Sequence, residues 1–213
     1  SPSMKGVTPT TPSRGAILSN TIGGKLSIEN HWGVLHLQAD GSDITVEGGD
    51  QRLNYRMTGG SLTVIGGMGT LGGESNEAAI LAEQWDGNAA LRGNENRFEI
   101  RSTGHDESEL TISGVDNEIM LGSVDGSSRV QGSGGNLEFE GLGGDLNVRL
   151  DGSAIVTGKQ ISGSLSLKLS ENSRAEIREV GDLVSLNIKE SEVSLKAIAG
   201  IRGRVIDSSL DLG

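Results

Sequence analysis

Residues 134–148 read GGNLEFEGLGGDLNV and contain one short pattern twice. A glycine pair precedes an apolar-polar-apolar triplet, first with Leu137 and Phe139 and then, nine residues later, with Leu146 and Val148. Paired glycines turn the backbone because they tolerate positive φ, and alternation with period two places both apolar side chains on one side of a strand. The stretch therefore predicts two short strands joined by a tight turn.

The same nine-residue spacing continues along most of the chain. An insertion around residues 104–107 shifts the frame, and the spacing loosens to ten after Ile155. Most pairs follow Gly, Asn, Asp or Ser, which favour turns. The residues predicted to point inward are Leu26/Ile28, Leu35/Leu37, Ile44/Val46, Leu53/Tyr55, Leu62/Val64, Leu71/Gly73, Ile80/Ala82, Ala89/Leu91, Phe98/Ile100, Leu110/Ile112, Ile119/Leu121, Val130, Leu137/Phe139, Leu146/Val148, Ile155, Leu165/Leu167, Ala175/Ile177, Val184/Leu186 and Val193/Leu195.

This periodicity predicts an all-β fold, a single-stranded right-handed β-helix or β-solenoid with about nine residues per face. A sandwich of hairpins is disfavoured because each segment has only two inward residues, and because aromatic residues make up only 2% of the chain. Coils of 18 residues with two faces and coils of 27 with three both fit the spacing. Three faces are favoured, because paired aliphatic residues fill a triangular prism more easily than a flat one.

Residues 76–85 depart from the pattern. The run after Ser75 is rich in Ala, Leu, Glu and Gln, which favour helix. It predicts either a short helix that bulges from the rod or a degenerate coil that stays in register, and the coil is favoured. All three prolines lie among Ser and Thr near the beginning of the chain. We therefore expect a flexible linker over residues 1–22 and a solenoid domain over 23–213.

The charge balance limits the classes of partner. The formal net charge is −11 and the sequence pI about 4.7, which disfavour nucleic acid and anionic lipid as partners. No apolar run is long enough to span a bilayer, so no membrane span is expected in this fragment. The chain has no Cys, which excludes disulfides and thiolate metal sites.

The glycine-rich repeats resemble a known family. Runs such as Gly143-Gly144-Asp145-Leu146-Asn147-Val148 and Gly59-Gly60-Ser61-Leu62-Thr63-Val64 are similar to the Gly-Asp-Leu-x-Val repeats of the bacterial adhesin-like β-solenoid family, a domain of unknown function. Bactofilins are a more distant likeness. The resemblance covers residues 23–212 and implies a location in the periplasm or on the cell surface, with a structural or adhesive role. Neither family implies catalytic residues.

Catalytic, cofactor and metal motifs are weak in this chain. His31, His36 and His105 are too few to indicate a triad or a zinc site, and no glycine run continues as a phosphate loop. Fragments such as Gly48-Gly49-Asp50 lack the Asp spacing of calcium-binding β-rolls. The sequence therefore predicts no enzyme, no catalytic residue, no metal and no cofactor.

Two surfaces remain as candidates for binding. Trp32 and Trp85 are the predicted glycan-binding residues of the alternative function, a glycan-binding or polysaccharide-processing β-helix. The segment near Gly213 keeps the strand pattern through Val205, Ile206, Leu210 and Leu212. These four residues predict an edge that associates with a second copy or is covered by a following domain. Both interpretations remain open, and cell-surface glycans or proteins are further expected partners.

Overall fold

The computed structural model describes residues 13–105 and 107–213, and these residues form strands and turns without any helix. The strands are β1 (Ser13–Ile22), β2 (Lys25–Asp40), β3 (Asp43–Thr58), β4 (Ser61–Ile65), β5 (Met68–Asn76), β6 (Ala79–Glu83), β7 (Asp86–Asn94), β8 (Arg97–Thr103), β9 (Glu109–Val115), β10 (Glu118–Val124), β11 (Ser127–Ser133), β12 (Asn136–Leu142), β13 (Leu146–Asp151), β14 (Ile155–Ile161), β15 (Leu165–Leu169), β16 (Arg174–Lys189), β17 (Glu192–Ile206) and β18 (Ser209–Leu212). All pair in parallel, and they stack as a β-solenoid of about 11 turns, which confirms the predicted fold class.

Each coil contains 18 residues over most of the rod. Leu35 pairs with Leu53, and Leu62 pairs with Ile80, so each residue stacks on the residue 18 positions later. A coil therefore holds two nine-residue segments, and the prediction of three faces is wrong. Two faces suffice because their inward columns pack directly on each other, as in two sheets about 10 Å apart. At about 4.8 Å per coil, the rod is roughly 50 Å long.

We call the two sides of the solenoid face 1 and face 2. Face 1 contains β4, β6, β8, β10, β12, β14, β18 and the first halves of β2, β3, β16 and β17. Face 2 contains β1, β5, β7, β9, β11, β13, β15 and the second halves of the same four long strands. The four long strands cross a corner without a break, and for this reason they belong to both faces.

Each corner contains a residue in the left-handed region, and several corners contain two in succession, as at Gly59 and Gly60. At the corner from face 2 to face 1, Gly41, Glu77 and Asp116 have φ between 52° and 54°. At the opposite corner, Asn30, Gln84 and Ser102 have φ between 48° and 55°. A single left-handed residue reverses the chain direction between two extended segments. At the first corner the left-handed residue lies three positions before the inward pair, as the sequence predicts. At the opposite corner it lies earlier, since Asn30 and Gln84 each precede the inward pair by five positions.

Buried asparagines stabilise one corner. The Oδ1 of Asn96 accepts a hydrogen bond from the Ala78 amide at 3.0 Å, and its Nδ2 donates to the Ser75 carbonyl at 2.8 Å. In the next coil, Asn117 Oδ1 accepts from the Asn96 amide at 2.9 Å, and Asn117 Nδ2 donates to the Gly93 carbonyl at 2.8 Å. These side chains satisfy backbone groups that the turn leaves without ladder partners.

Changes in coil length are absorbed at the corners. Ala89 pairs with Leu110 across 21 residues, because the insertion near residue 104 lies in a turn outside the strands. Later coils contain 19 residues, as in the pairing of Leu137 with Val156. This extra residue changes which side chain points inward. Val156 is fully buried and Ile155 is 47% exposed, so the inward assignment of Ile155 is wrong.

Residues 76–85 form an in-register coil. The strand β6 pairs with β4 on one side and with β8 on the other, each with an offset of 18 residues. Ile80 and Ala82 fill the same inward positions as the neighbouring apolar pairs. The favoured interpretation is confirmed, and the alternative of a short helix is wrong because the neighbouring coils supply strand partners that override helix propensity.

The solenoid begins earlier than the sequence indicates. Strand β1 starts at Ser13 and pairs with β2 over ten residues, so residues 13–22 belong to the rod. The predicted linker boundary after residue 22 is therefore wrong, and residues 1–12 lie outside the described residues. The strand escaped detection because Leu18 and Ile22 point outward, which obscures the apolar-x-apolar pattern.

Two aromatic rings inside the rod lie against glycines of the next coil. Phe139 on face 1 lies against Gly158 of the next coil, and Tyr55 on face 2 lies against Gly73. A β-carbon at either glycine would overlap the aromatic ring. Burial raises the pKa of the Tyr55 phenol above its ordinary value, and the neighbouring Ser75 hydroxyl partly opposes this shift. Glycine in the adjacent coil therefore makes room for a large ring in a narrow interior.

Candidate functional site

The outward side chains of face 1 are largely neutralised by one another. We count as outward the residue between each inward pair and the residues directly before and after the pair. On face 1 these positions hold seven bases: Lys25, Arg97, Arg101, Lys159, Arg174, Arg178 and Lys196. Eleven carboxylates accompany them: Glu29, Asp43, Glu47, Glu83, Glu99, Glu118, Glu138, Glu140, Glu176, Glu192 and Asp211. Five of the bases form ion pairs, including Lys159 with Glu140 at 2.8 Å and Arg97 with Glu118 at 3.9 Å.

Face 2 has the opposite charge balance. Its outward positions hold eight bases: Arg52, Arg56, Arg92, Arg129, Arg149, Lys168, Arg202 and Arg204. Only three carboxylates, Glu74, Glu109 and Asp145, share these positions. Among the described residues, two of the eight bases form ion pairs, Arg56 with Glu74 at 3.4 Å and Arg129 with Glu109 at 3.5 Å. A basic face thus exists on a chain whose net charge is −11.

The remaining carboxylates explain this contrast, because most of them lie at the corners. Within the described part of the chain the corner carboxylates are Asp40, Asp50, Glu77, Asp86, Glu95, Glu107, Asp116, Asp125, Asp151, Glu171, Glu179, Asp182, Glu190 and Asp207. The excess negative charge therefore lies along the two edges of the rod, and face 2 between them is locally positive.

The densest part of face 2 lies in its last five coils, and we call it the basic strip: Arg129, Arg149, Lys168, Arg202 and Arg204. Arg129 and Arg202 stand at the two ends of a polar column, in which Asn147, Ser166 and Ser185 follow one another in register. Arg149, Lys168 and Arg204 occupy the neighbouring column. The three residues of the polar column line an open groove of about 450 Å³ together with Arg129, Arg202, Glu109 and Asp145. Glu109 is paired with Arg129, and Asp145 Oδ1 accepts a hydrogen bond from the Ser164 amide. Small side chains in the polar column leave room above the sheet, and Arg129 and Arg202 bound that room at its two ends.

The last coil exposes apolar side chains that continue the inward columns of the core, and we call this surface the apolar floor. Leu210 and Leu212 are 36% and 54% exposed, although their register partners Val193 and Leu195 are buried. Val205 and Ile201 are each 37% exposed and stack on the buried Ile188 and Val184. Ile206 does not belong to this floor, because it lies in register with the exposed Lys189. Ile201 takes its place, a residue that the apolar-x-apolar pattern does not identify because Gly203 stands two positions later.

The two tryptophans lie in different environments. Trp85 is 1% exposed and belongs to the core, so its ring is not available to stack on a sugar, and its assignment to a glycan site is wrong. Trp32 is 44% exposed at the start of a face 2 rung, in register with Arg14 and Asp50. The turn that precedes Trp85 directs its side chain inward, which alternation within strands does not reveal.

The histidines do not form a shared site. His31 is buried in the core, His36 is exposed on face 2, and His105 lies in the inserted turn. His105 Nε2 is 3.7 Å from Asp86 Oδ1, and the nearby Ser108 Oγ bonds the main chain of His105 rather than its ring. Within residues 13–105 and 107–213, no group of three or more His, Asp or Glu is placed to hold a metal ion. The same residues include no helix that could cross a membrane.

Sequence reasoning missed the charged face for one reason. The net charge is a property of the whole chain, whereas the basic strip depends on which nine-residue segments share a face. A signal was present, because Arg or Lys follows the inward pair in several alternate segments, as at Arg56, Arg92, Arg149 and Arg204. Sorting the segments into odd and even sets would have revealed it, but that step requires a two-segment coil.

Comparisons with known proteins give no further assignment. No family model, no curated protein and no solved structure matches the chain.

Proposed function

We propose that this chain is a non-catalytic structural or adhesive module that associates with a second copy of itself through its terminal coil. One observation carries the proposal: Ile201, Val205, Leu210 and Leu212 continue the inward columns of the core and are exposed. Apolar side chains in register with a buried ladder gain most by being covered with another coil or its equivalent.

Backbone pairing favours the same interface. Among the described strands, β18 pairs only with β17, and the second half of β17 pairs only with β16. The outer edges of these strands therefore offer unpaired amide and carbonyl groups beside the apolar floor, a combination that templates pairing with another strand. Two copies that meet at this edge would satisfy the donors and acceptors and bury the apolar side chains together.

The cellular setting follows from the resemblance of the repeats. Gly-Gly-x-Leu segments similar to those of the bacterial adhesin-like solenoids support a place in the cell envelope, outside the cytoplasm. A rod of roughly 50 Å with a regular core suits a scaffold or a spacer between surfaces. Cell-surface proteins or glycans are the proposed further partners.

Light scattering coupled to size exclusion tests the proposal. The unmodified chain should show a concentration-dependent mass above that of the 22.1 kDa monomer. The double variant Leu210→Lys, Leu212→Lys places two charges on the apolar floor and should shift the population to monomer, since inward charges on an edge strand block pairing.

The matched control removes apolar surface at the other end of the rod. Leu18 and Ile22 are 80% and 77% exposed on the outer side of β1, so Leu18→Lys, Ile22→Lys should leave the mass unchanged. A clean monomer for the unmodified chain at high concentration would overturn the proposal. Equal dissociation by both double variants would also count against the terminal coil.

A further inference from the structure

We infer that face 2 binds a linear acidic polysaccharide along its basic strip, with the polar column as the floor of the binding groove. This inference goes beyond the proposed self-association, because face 2 runs along the side of the rod and the apolar floor lies at its end. It rests on the unpaired side chains of Arg149, Lys168 and Arg204, on their register and on the polar column beside them.

The basic strip places like charges next to each other. Arg149 and Lys168 occupy successive rungs in direct register, about 4.8 Å apart along the rod. Neither forms an ion pair or a side-chain hydrogen bond in the described structure. Like charges in register disfavour the sheet unless an anion lies between them. A ligand with regularly spaced carboxylates would relieve this repulsion, and arginine can bind each carboxylate with two hydrogen bonds.

The floor of the groove suits sugar hydroxyl groups. Asn147, Ser166 and Ser185 present amide and hydroxyl groups in one column, and each can donate as well as accept hydrogen bonds. The Oγ of Ser185 accepts a hydrogen bond from Arg202 Nε at 3.0 Å, which fixes that guanidinium at the end of the groove. A polymer that alternates hydroxyl groups with carboxylates matches a polar column beside a basic one.

Two other polyanions match this surface less well. Single-stranded nucleic acid is usually held by aromatic side chains on which bases stack, and the basic strip and polar column contain only Arg, Lys, Asn and Ser. A membrane surface favours basic faces that also insert apolar side chains. Leu146 and Leu165 beneath the groove are buried in the core and point away from solvent.

The corners restrict how the ligand lies. Glu190 and Asp207 are exposed at the corner next to the last rungs of face 2. Their charge repels a polyanion that crosses the rod, so the favoured orientation follows the rod axis, over the groove. Binding in this orientation engages Arg149, Lys168 and Arg204 in turn, one coil or two apart.

The test uses immobilised polygalacturonate at low ionic strength, with biolayer interferometry as the readout. The unmodified chain should bind, and binding should weaken steeply as salt is added, since ion release drives association with a polyanion. The double variant Arg149→Gln, Lys168→Gln should lose about tenfold in affinity. Dextran, a neutral glucan, should not bind.

A matched double variant controls for net charge. Arg174 and Lys196 are exposed on face 1 and belong to no ion pair of the described structure, so Arg174→Gln, Lys196→Gln removes the same two residue types. Its affinity should stay within about twofold of the unmodified chain. Thermal unfolding by circular dichroism verifies that both variants are folded.

Three outcomes would overturn the inference. The first is no binding of polygalacturonate to the unmodified chain at low ionic strength. The second is an equal loss of affinity in both double variants, which would show that only net charge matters. The third is tighter binding to oligo(dT) or to phosphatidylglycerol vesicles than to polygalacturonate, which would assign face 2 to nucleic acid or to a membrane surface instead.

Discussion

Face 1 and face 2 share one interior and differ in their exteriors. Both contribute apolar pairs to the same buried ladder, with Leu137 and Val148 each at most 1% exposed. Outside, five of seven bases on face 1 are ion-paired, against two of eight on face 2. The stacking of coils constrains inward residues equally on both sides, whereas it leaves the outward positions free. Charges that are not needed for packing can therefore be arranged for binding on one face alone.

The ion pairs of face 1 add little to stability. Pairs between solvent-exposed side chains usually contribute less than about 1 kcal/mol. Because of these ion pairs, face 1 has no strong local electrostatic potential and does not attract charged polymers. On face 2 no carboxylate of the described residues pairs with Arg149 and Lys168, so the positive electrostatic potential around them remains. A bound anion would neutralise it.

The largest expected effect tests the shared interior. Val148→Asp on face 2 and Leu137→Asp on face 1 should each destabilise the fold by about 3 kcal/mol or more, because each buries an unpaired carboxylate. Asn147→Asp, which changes an outward neighbour of Val148, should stay within about 0.5 kcal/mol. Urea unfolding followed by circular dichroism measures all three variants. A small effect at Leu137 alone would show that the two faces do not share one core.

Glycine substitutions compare how the two faces pack against aromatic rings inside the shared core. Gly158→Ala on face 1 brings its β-carbon closest to the ring of Phe139, and Gly73→Ala on face 2 brings its β-carbon closest to the carbonyl oxygen of Tyr55, with the ring next. Each should cost about 1 to 3 kcal/mol from overpacking. Adding Phe139→Leu should recover part of the loss at Gly158.

The corresponding change Tyr55→Leu should not rescue Gly73→Ala, because the backbone clash remains. Urea midpoints of the two single and two double variants give both coupling energies. Equal rescue on the two faces would contradict the structure at Gly73.

A smaller effect compares one lysine on each face. Lys159→Gln on face 1 removes the partner of Glu140 and should lower the melting temperature slightly. Lys168→Gln on face 2 relieves the repulsion by Arg149 and should leave the melting temperature equal or slightly higher. Differential scanning calorimetry at low salt resolves the difference, and high salt should reduce it. A larger loss at Lys168 would show that an unrecognised interaction holds this side chain.

The smallest expected effect is a change in the pKa of one carboxyl group on face 1. The hydrogen bond and the charge of Arg178 hold the pKa of Glu176 below its ordinary value of 4.5. This contribution to stability is present above pH 4.5 and is lost as the pH falls through the lowered pKa in the folded state. Arg178→Gln should therefore raise the pKa of Glu176 toward 4.5, as measured by NMR titration of the side-chain carboxyl. An unchanged pKa would exclude the pairing.

Much of the fold was accessible from the sequence because short-range rules govern it. Alternation predicted the inward residues of most coils, and turn residues predicted the corners, including Asp116 in its left-handed conformation. The predictions of inward side chains failed at positions that these short-range rules do not describe. A one-residue insertion moved the inward position from Ile155 to Val156, and Trp85 lies in a corner, where alternation no longer tells which way a side chain points.

The sequence by itself determined a β-solenoid of nine-residue segments, because period-two alternation and regular turns leave a narrow repetitive core as the only way to bury paired apolar residues. The number of segments per coil was decided only in the tertiary structure, where the interior could close with two faces in contact. That choice also decided the surface. Arg149 and Lys168 are 19 positions apart and become neighbours only when a coil holds two segments. Composition fixed how many charges the chain carries, and the coil length determined which of them stand side by side.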